Sequence, residues 1–134
     1  AMNEWLVIET PSGEMEFQGG KLSWSSLSGE EFIIPSESSI AVLDSSRLTF
    51  PILLRKWKAG DYFYPLGLAK KKKIARFLTD EKLSRNQKEN TWVLETDKKI
   101  CWVVGLRPDD RFKVKSSTKQ IIRFQLNLPV SSGI

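Results

Sequence analysis

The chain has 134 residues, of which 40% are hydrophobic and 28% charged, and it includes seven Phe, five Trp and two Tyr. This length and composition exclude wholesale disorder and predict one domain, or two small ones sharing a core. The longest apolar stretch, residues 100–106, has seven residues, far fewer than the roughly 20 that a membrane-spanning helix needs. We therefore expect no membrane span and no membrane partner.

The sequence contains no histidine, and Cys101 is its single cysteine. Catalytic sites of the Ser-His-Asp and Cys-His types are therefore excluded, together with an internal disulfide, a multi-cysteine zinc site and an iron–sulfur cluster held by this chain alone. A reducing, cytoplasmic location fits this cysteine usage. Carboxylate, Lys, Tyr or carboxylate-bound metal chemistry stays open, but no pair of acidic residues points to it. We expect no enzyme activity from this chain by itself.

Charge is distributed unevenly along the chain. Residues 1–54 carry two basic and eight acidic side chains, whereas residues 55–134 carry 19 basic and eight acidic ones. A concentrated positive excess attracts polyanions such as nucleic acid or an anionic membrane surface. Lys-rich solvated faces are also common on soluble proteins. Charge alone leaves both alternatives open.

Short apolar segments separated by Gly, Pro and Ser turns predict a β-rich first part. Strands are expected at residues 5–8, 15–17, 21–24, 32–34 and 40–43. A change in pattern near residue 50 predicts two units. Residues 1–50 would form a β-rich adjoining subdomain or linker region, and residues 51–134 a C-terminal domain.

The second part is predicted to combine strands with one main helix. Strands are expected at residues 51–58, at 92–94 and 100–104 as a hairpin, and at 121–128, with a structured loop at 62–68 and a turn at 107–111. In the last strand Ile122, Phe124, Leu126 and Leu128 alternate with polar residues, which is typical of one core-facing side. In strand 51–58, Arg55 is expected to share a face with Leu53 and Trp57.

Residues 70–82 are the main helix candidate, because Ile74, Phe77 and Leu78 form one apolar stripe. A second helical turn is expected at 86–90, with Ser84 as its cap. These elements predict an α+β, β-rich fold with one main basic helix.

The lysine run 70–73 would open the first helix, where the helix dipole disfavours positive charge, and Asp80 and Glu81 would lie near its negative end. Helix stability does not explain this arrangement, whereas a bound polyanion at the helix start would. The alternative is a solvated first turn without a specific role.

Two further groups of residues have two interpretations each. Arg107 and Arg111 would grip phosphate, or they would form local salt bridges with Asp109 and Asp110. Four aromatic residues would stack on unpaired bases or would pack in the core: Trp57, Tyr62, Tyr64 and Trp92.

Several motifs in a fixed order resemble the C-terminal domain of tRNA(Ile)-lysidine synthetase over roughly residues 41–128. They are LRKWKAGD at 54–61, PLG at 65–67, KK at 72–73, DEK at 80–82, ICWVVGLR at 100–107, DRFKV at 110–114 and Thr118. The resemblance implies a β-rich sandwich with attached helices, similar to a domain of the phenylalanyl-tRNA synthetase β subunit.

The resemblance also implies a function. The full-length enzyme uses ATP to attach lysine to the wobble cytidine of tRNA(Ile), and this chemistry belongs to an N-terminal PP-loop domain with an SGGxDS-type motif, which this sequence lacks. The chain would be a noncatalytic region that docks the tRNA, with the acceptor-stem side as its target. No cofactor is expected here, since ATP and Mg²⁺ would bind the full-length enzyme. The implied partners are tRNA(Ile) and the missing PP-loop domain, and a homodimer is compatible.

Ten basic residues are the predicted RNA contacts: Lys70, Lys71, Lys72, Lys73, Arg76, Lys82, Arg85, Arg107, Arg111 and Lys113. Six of them match basic family positions: Lys72, Lys73, Lys82, Arg107, Arg111 and Lys113. The sequence departs from the family pattern at Lys70, where Gly is frequent, and at Ala75-Arg76, where Ser-Asp is common. The alternative function is that of a protein-interaction or structural domain whose basic face packs against other domains of the same polypeptide.

Overall fold

The computed structural model describes residues 5–128, which form eleven β-strands and two short α-helices. The strands are β1 (Leu6–Ile8), β2 (Gly13–Phe17), β3 (Gly20–Ser28), β4 (Ile40–Asp44), β5 (Ile52–Lys56), β6 (Tyr62–Phe63), β7 (Lys72–Lys73), β8 (Trp92–Thr96), β9 (Lys99–Val103), β10 (Arg107–Pro108) and β11 (Gln120–Asn127). The helices are α1 (Ile74–Asp80) and α2 (Arg85–Glu89). Within the described range no helix has the length and apolarity to cross a membrane.

Two antiparallel sheets form the body of the fold. The first has the strand order β1-β5-β8-β9-β10 and the second the order β2-β3-β11-β4. Their facing sides share one buried core, to which Leu54 and Trp102 contribute from the first sheet and Leu22 and Phe124 from the second. The expected β-rich α+β fold with sandwiched sheets is therefore confirmed.

The alternating pattern of the last predicted strand holds over most of its length. Ile122 and Phe124 are fully buried in β11, and Leu126 is partly buried against the core. Leu128 is 72% exposed, so its predicted core position is wrong. Pairing of β11 with β3 ends at Asn127, so Leu128 lies beyond the end of the sheet.

Strand pairing joins the two parts of the sequence in both sheets. Strand β1 pairs with β5, and β11 pairs with β3 and β4. The predicted division near residue 50 stays a prediction, but the core of the sandwich is built from residues on both sides of it.

A third layer covers the outer side of the five-stranded sheet. It consists of the small sheet β6-β7 and helix α1, and it buries a second apolar cluster. In this cluster Phe63, Ile74 and Phe77 pack with Val93 and Val103 of the central strands. The predicted apolar stripe of the helix is confirmed, since Ile74, Phe77 and Leu78 are its buried residues.

Two further predictions, one of a strand and one of a turn, are also wrong. Residues 32–34 do not form a strand. A 3-10 turn at Gly29–Glu31 precedes this segment and Pro35 follows it, and Ile33 and Ile34 are 81% and 79% exposed. The predicted turn at 107–111 begins with strand β10 instead. The chain reverses just before it, at Gly105, whose φ of +79° suits glycine.

Candidate nucleic-acid interface

The lysine run does not open the helix as predicted. Lys72 and Lys73 form strand β7, which pairs with Tyr62 and Phe63, and helix α1 begins only at Ile74. This pairing with an earlier segment fixes the lysines in an extended conformation, which a local helix pattern cannot reveal. Lys70, Lys71 and Lys72 therefore lie outside the helix, and only Lys73, its N-cap residue, adjoins the positive end of the helix dipole. The expected run of four lysines in the first helical turn does not occur, so it does not argue for a bound polyanion.

Asp80, the last residue of α1, forms ion pairs with two of the predicted RNA-contacting residues. Lys72 Nζ lies 2.7 Å from Asp80 Oδ2, and Arg76 Nε lies 3.2 Å from Asp80 Oδ1. The hydrogen bond from Lys72, with the charges of both cations, lowers the pKa of the Asp80 carboxyl. Asp80, which the sequence placed against the helix dipole, therefore holds the side chains of two basic residues beside the helix.

The ring of Phe77 connects Arg107 to the same layer. The Arg107 guanidinium carbon lies 5.6 Å from the centre of this ring, and Lys72 Nζ lies 5.9 Å from it. Strand β10 carries Arg107 at the edge of the five-stranded sheet, next to β9. Thus Lys72 and Arg107, which are 35 positions apart in sequence, both contact the buried ring of Phe77.

A second chain of contacts alternates cations with aromatic rings. Lys71 Nζ lies 4.0 Å from the centre of the Tyr62 ring, and the Tyr62 and Tyr64 rings meet edge to face at 6.3 Å. The Arg111 guanidinium carbon lies 4.4 Å from the centre of the Tyr64 ring. Cation–π attraction of this kind contributes about 0.5–1 kcal/mol at exposed sites. Lys71 and Arg111 are therefore joined through the two tyrosines.

The two arginines differ in their ion pairing. Arg111 donates from Nε to Asp109 Oδ1 at 3.0 Å and from Nη2 to Asp109 Oδ2 at 2.9 Å, and the Asp109 side chain is fully buried. Lys113 Nζ lies 3.5 Å from Asp110. Arg107 forms no ion pair within residues 5–128. The salt-bridge interpretation therefore applies to Arg111, and Arg107 is the arginine that keeps its charge available.

The remaining predicted contacts lie around this layer. Lys70, Lys73 and Lys82 are exposed. Arg85, 94% exposed, lies 3.5 Å from Glu89 one helical turn away. Lys113 lines a separate cleft with Ile34 and Leu66. We use the term outer basic surface for the basic residues that the β6-β7-α1 layer and its contacts bring together and for the exposed Lys70 that directly precedes them in sequence. These residues are Lys70, Lys71, Lys72, Lys73, Arg76, Arg107 and Arg111.

The four aromatic residues take different roles. Trp92 is buried, and Trp57 donates its Nε1 hydrogen to the Lys88 carbonyl oxygen at 2.6 Å, so both pack in the structure. Tyr64 is half-buried between Tyr62 and Arg111. Tyr62 is 40% exposed and is the most exposed of the four.

Two lysines near Tyr62 were not among the predicted contacts. Lys98 and Lys99 line a small pocket of about 70 Å³ together with Tyr62 and Arg111. The β8-β9 hairpin brings them there through a turn in which Asp97 and Lys98 have φ of 47° and 64°. The sequence placed both lysines in a polar turn, but only the sheet order shows that this turn lies beside the outer basic surface.

A buried ion network supports the turn that precedes β6. Arg55 is 4% exposed and donates to both carboxylate oxygens of Asp61, at 2.9 and 3.1 Å, and to Glu95 at 2.8 Å. Burial alone would lower the pKa of Arg55, but these hydrogen bonds and charges outweigh it and raise the pKa. The Asp61 carbonyl oxygen in turn accepts from the Ile74 N–H at 2.9 Å. The network thereby connects the sheet to the start of α1.

Fold and surface together define a class of protein: a two-sheet antiparallel β domain with a helical outer layer that presents basic side chains. The family model described as "TilS substrate C-terminal domain" matches residues 52–126. The chain belongs to this family, which confirms the resemblance found in the sequence.

Relatives and solved structures agree with this assignment. The chain is 44% identical over 96 residues to a tRNA(Ile)-lysidine synthase of Bacteroides thetaiotaomicron, a match that covers 72% of this chain and 22% of the relative. With the tRNA(Ile)-lysidine synthase of Parabacteroides distasonis, it is 45% identical over 92 residues, or 69% of this chain and 21% of the relative. The chain thus spans about a fifth of the length of these relatives.

The fold also matches a solved structure titled "Crystal structure of TILS C-terminal domain". The TM-score is 0.71 at 19% sequence identity, and the match covers 94% of this chain and all of the other. This likeness supports the fold assignment.

Proposed function

We propose that the chain is a noncatalytic tRNA-binding region of a tRNA(Ile)-lysidine synthetase and that it docks the acceptor-stem side of tRNA(Ile). In this proposal the full-length enzyme is a cytoplasmic ligase that uses ATP to attach lysine to the wobble cytidine. ATP and Mg²⁺ act at its PP-loop domain, which is a partner of this chain. Residues 5–128 offer no cluster of three or more His, Cys, Asp or Glu side chains that could hold a metal ion, so we assign no step through Mg²⁺ to them. The homodimer stays a prediction.

The observation that carries the proposal is the set of basic side chains without acidic partners. Five of the ten predicted contacts form no ion pair with any residue between 5 and 128: Lys70, Lys71, Lys73, Lys82 and Arg107. Cations that are not neutralised within the protein attract phosphates, and the release of counterions from the nucleic acid drives this binding. The other five predicted contacts share their charge with a carboxylate.

The exposed lysines on either side of Lys72 suit contacts along a phosphate backbone. Lys71 and Lys73 flank the half-buried Lys72, and both are exposed. Lys73 lies in strand β7 and Lys71 directly precedes this strand, so the two ammonium groups can contact separate phosphates. An A-form stem is recognised mainly through its phosphates, 2′-OH groups and shape, which such an arrangement fits.

Binding to RNA tests the proposal directly. We would measure affinity of the chain for a tRNA(Ile) acceptor-stem minihelix and for the anticodon stem-loop, across a series of salt concentrations. We expect the minihelix to bind more tightly, with an affinity that falls with salt. Lys70→Glu/Lys73→Glu should weaken binding and reduce the slope of log K against log salt concentration by about 2 or more.

A charge-matched variant controls for the change in net charge. Lys115→Glu/Lys119→Glu alters two exposed lysines near Asp44 and Thr118, away from α1, and should retain most of the affinity. Equal, weak binding of both RNAs that neither variant alters would contradict the proposal. It would favour the alternative, in which the outer basic surface packs against other domains of the same polypeptide.

A further inference from the structure

Tyr62 is an exposed aromatic residue on a rigid support. Its side chain is 40% exposed, although the residue begins β6 and its backbone pairs with Lys73. The residue before it, Asp61, is held by two hydrogen bonds from the buried guanidinium of Arg55. The backbone that carries the exposed ring is thus held at Asp61 and at Tyr62 itself, so little backbone conformational entropy would be lost when a ligand packs against the ring.

Cations surround this ring. Lys71 Nζ lies 4.0 Å from the ring centre, and Lys98, Lys99 and Arg111 line the small pocket beside Tyr62. The nearby carboxylates already have partners: Asp61 binds Arg55, Asp109 binds Arg111, and Asp97 lies 3.8 Å from Lys99. Lys71 and Lys98 form no ion pair within the described residues, so positive charge predominates around the ring.

An aromatic face among unneutralised cations fits one kind of ligand, an unpaired nucleotide. The base displaces the Lys71 ammonium from the ring and stacks there, and the ammonium groups contact the phosphate. Stacking combined with phosphate contacts is what proteins use to bind single-stranded nucleic acid. A base inside a duplex is stacked on its neighbours and does not reach such a ring, whereas an unpaired base can be splayed out onto it.

We propose that Tyr62 is a stacking platform for one unpaired RNA base that adjoins the docked stem, with Lys71 and Lys98 contacting the phosphate of that nucleotide. This inference rests on the proposed RNA-binding function. It extends that function from a duplex surface to a junction between duplex and single strand. Because every base has an aromatic face, the platform selects for an unpaired nucleotide and discriminates little between base types.

The test compares two RNAs that differ only in a single-stranded end. One is a blunt hairpin stem, and the other is the same stem with a short 3′ extension that contains the fluorescent base 2-aminopurine. We expect the 134-residue chain to bind the extended RNA more tightly, by about 5-fold to 150-fold. Fluorescence of the 2-aminopurine should fall on binding, because stacking quenches it.

Two variants separate the ring from the rest of the residue. Tyr62→Ala should remove the advantage of the extended RNA over the blunt stem, together with the quenching. Tyr62→Phe retains the ring and should retain both effects. Thermal unfolding of each variant shows whether it is folded, and if Tyr62→Ala fails to fold, Tyr62→Leu is measured against Tyr62→Phe instead.

The outcomes distinguish this inference from the proposed function. If the wild type binds blunt and extended RNA equally, or if Tyr62→Ala weakens both alike, the stacking platform is refuted. In either case a loss of affinity in Lys70→Glu/Lys73→Glu would leave stem docking intact. Failure of the wild type to bind either RNA would refute both.

Discussion

Removal of the Arg55 side-chain charge should destabilise the domain strongly. Arg55→Met keeps an unbranched chain of similar length but leaves Asp61 and Glu95 without their cation. Their side chains are only 9% and 17% exposed in the structure. Arg55 also donates to the Lys56 carbonyl oxygen at 3.1 Å, so the substitution removes four hydrogen bonds in total.

The magnitude follows from the desolvated carboxylates. Loss of one partner from a buried ion pair costs about 3–5 kcal/mol, and we expect the lower value, about 3 kcal/mol, because Glu95 retains some contact with water. For a domain of this size the melting temperature should fall by about 12 °C.

Urea and thermal unfolding, each followed by circular dichroism, would measure this effect. Arg85→Met is the matched control: it removes an arginine from an ion pair as well, but Arg85 is 94% exposed, and such pairs contribute little. We expect its melting temperature to stay close to that of the wild type. Equal stability of the two variants would refute the reasoning that Arg55 anchors the Asp61 turn.

Two further predictions concern other parts of the sandwich. Burial raises the pKa of the Asp44 carboxyl, but hydrogen bonds from Ser46 and Thr118 outweigh it and lower the pKa. Asp44→Asn should therefore reduce the free energy of unfolding at neutral pH, and the difference from wild type should shrink as pH falls below about 4, as acid titration of unfolding would show. Gly20→Ala should cost more than Gly67→Ala in urea unfolding, because both glycines have positive φ but only at Gly20 would a Cβ collide with the backbone of β11. Equal losses of unfolding free energy in the two variants would show that the positive φ, and not the collision with β11, determines the destabilisation.

How much of the fold the sequence reveals depends on whether a strand is covered on one side or on both. Strand β11 shows a clear alternation, and its buried residues Ile122 and Phe124 were predicted. Strand β5 lies between the sandwich core and the outer layer, so both Leu54 and Arg55 are buried. The alternation of side chains along β5 therefore does not predict which of them are buried, since a strand covered on both sides has no solvent-facing side.

Long-range pairing accounts for most errors around the candidate interface. The apolar stripe of α1 was found from local periodicity, but the start of the helix was not, because β6 holds Lys72 and Lys73 in a strand. Likewise, the β8-β9 hairpin was predicted, yet its neighbour in space, the ring of Tyr62, is about 36 residues away in sequence. The family and its motifs were recognised from sequence, whereas the side chains that share one surface required the sheet order.

The position of β11 inside the four-stranded sheet has a consequence for the order of assembly during protein synthesis. Strands β3 and β4 do not touch each other in that sheet, because β11 lies between them. The ribosome therefore releases β2, β3 and β4 long before the strand that unites them, and until then one edge of β3 and the whole of β4 lack a sheet partner. Unpaired strand edges favour association with other chains. A nascent chain that is interrupted between residues 108 and 120 should consequently be a substrate for chaperones, even though all strands of its five-stranded sheet and its outer layer have been synthesised.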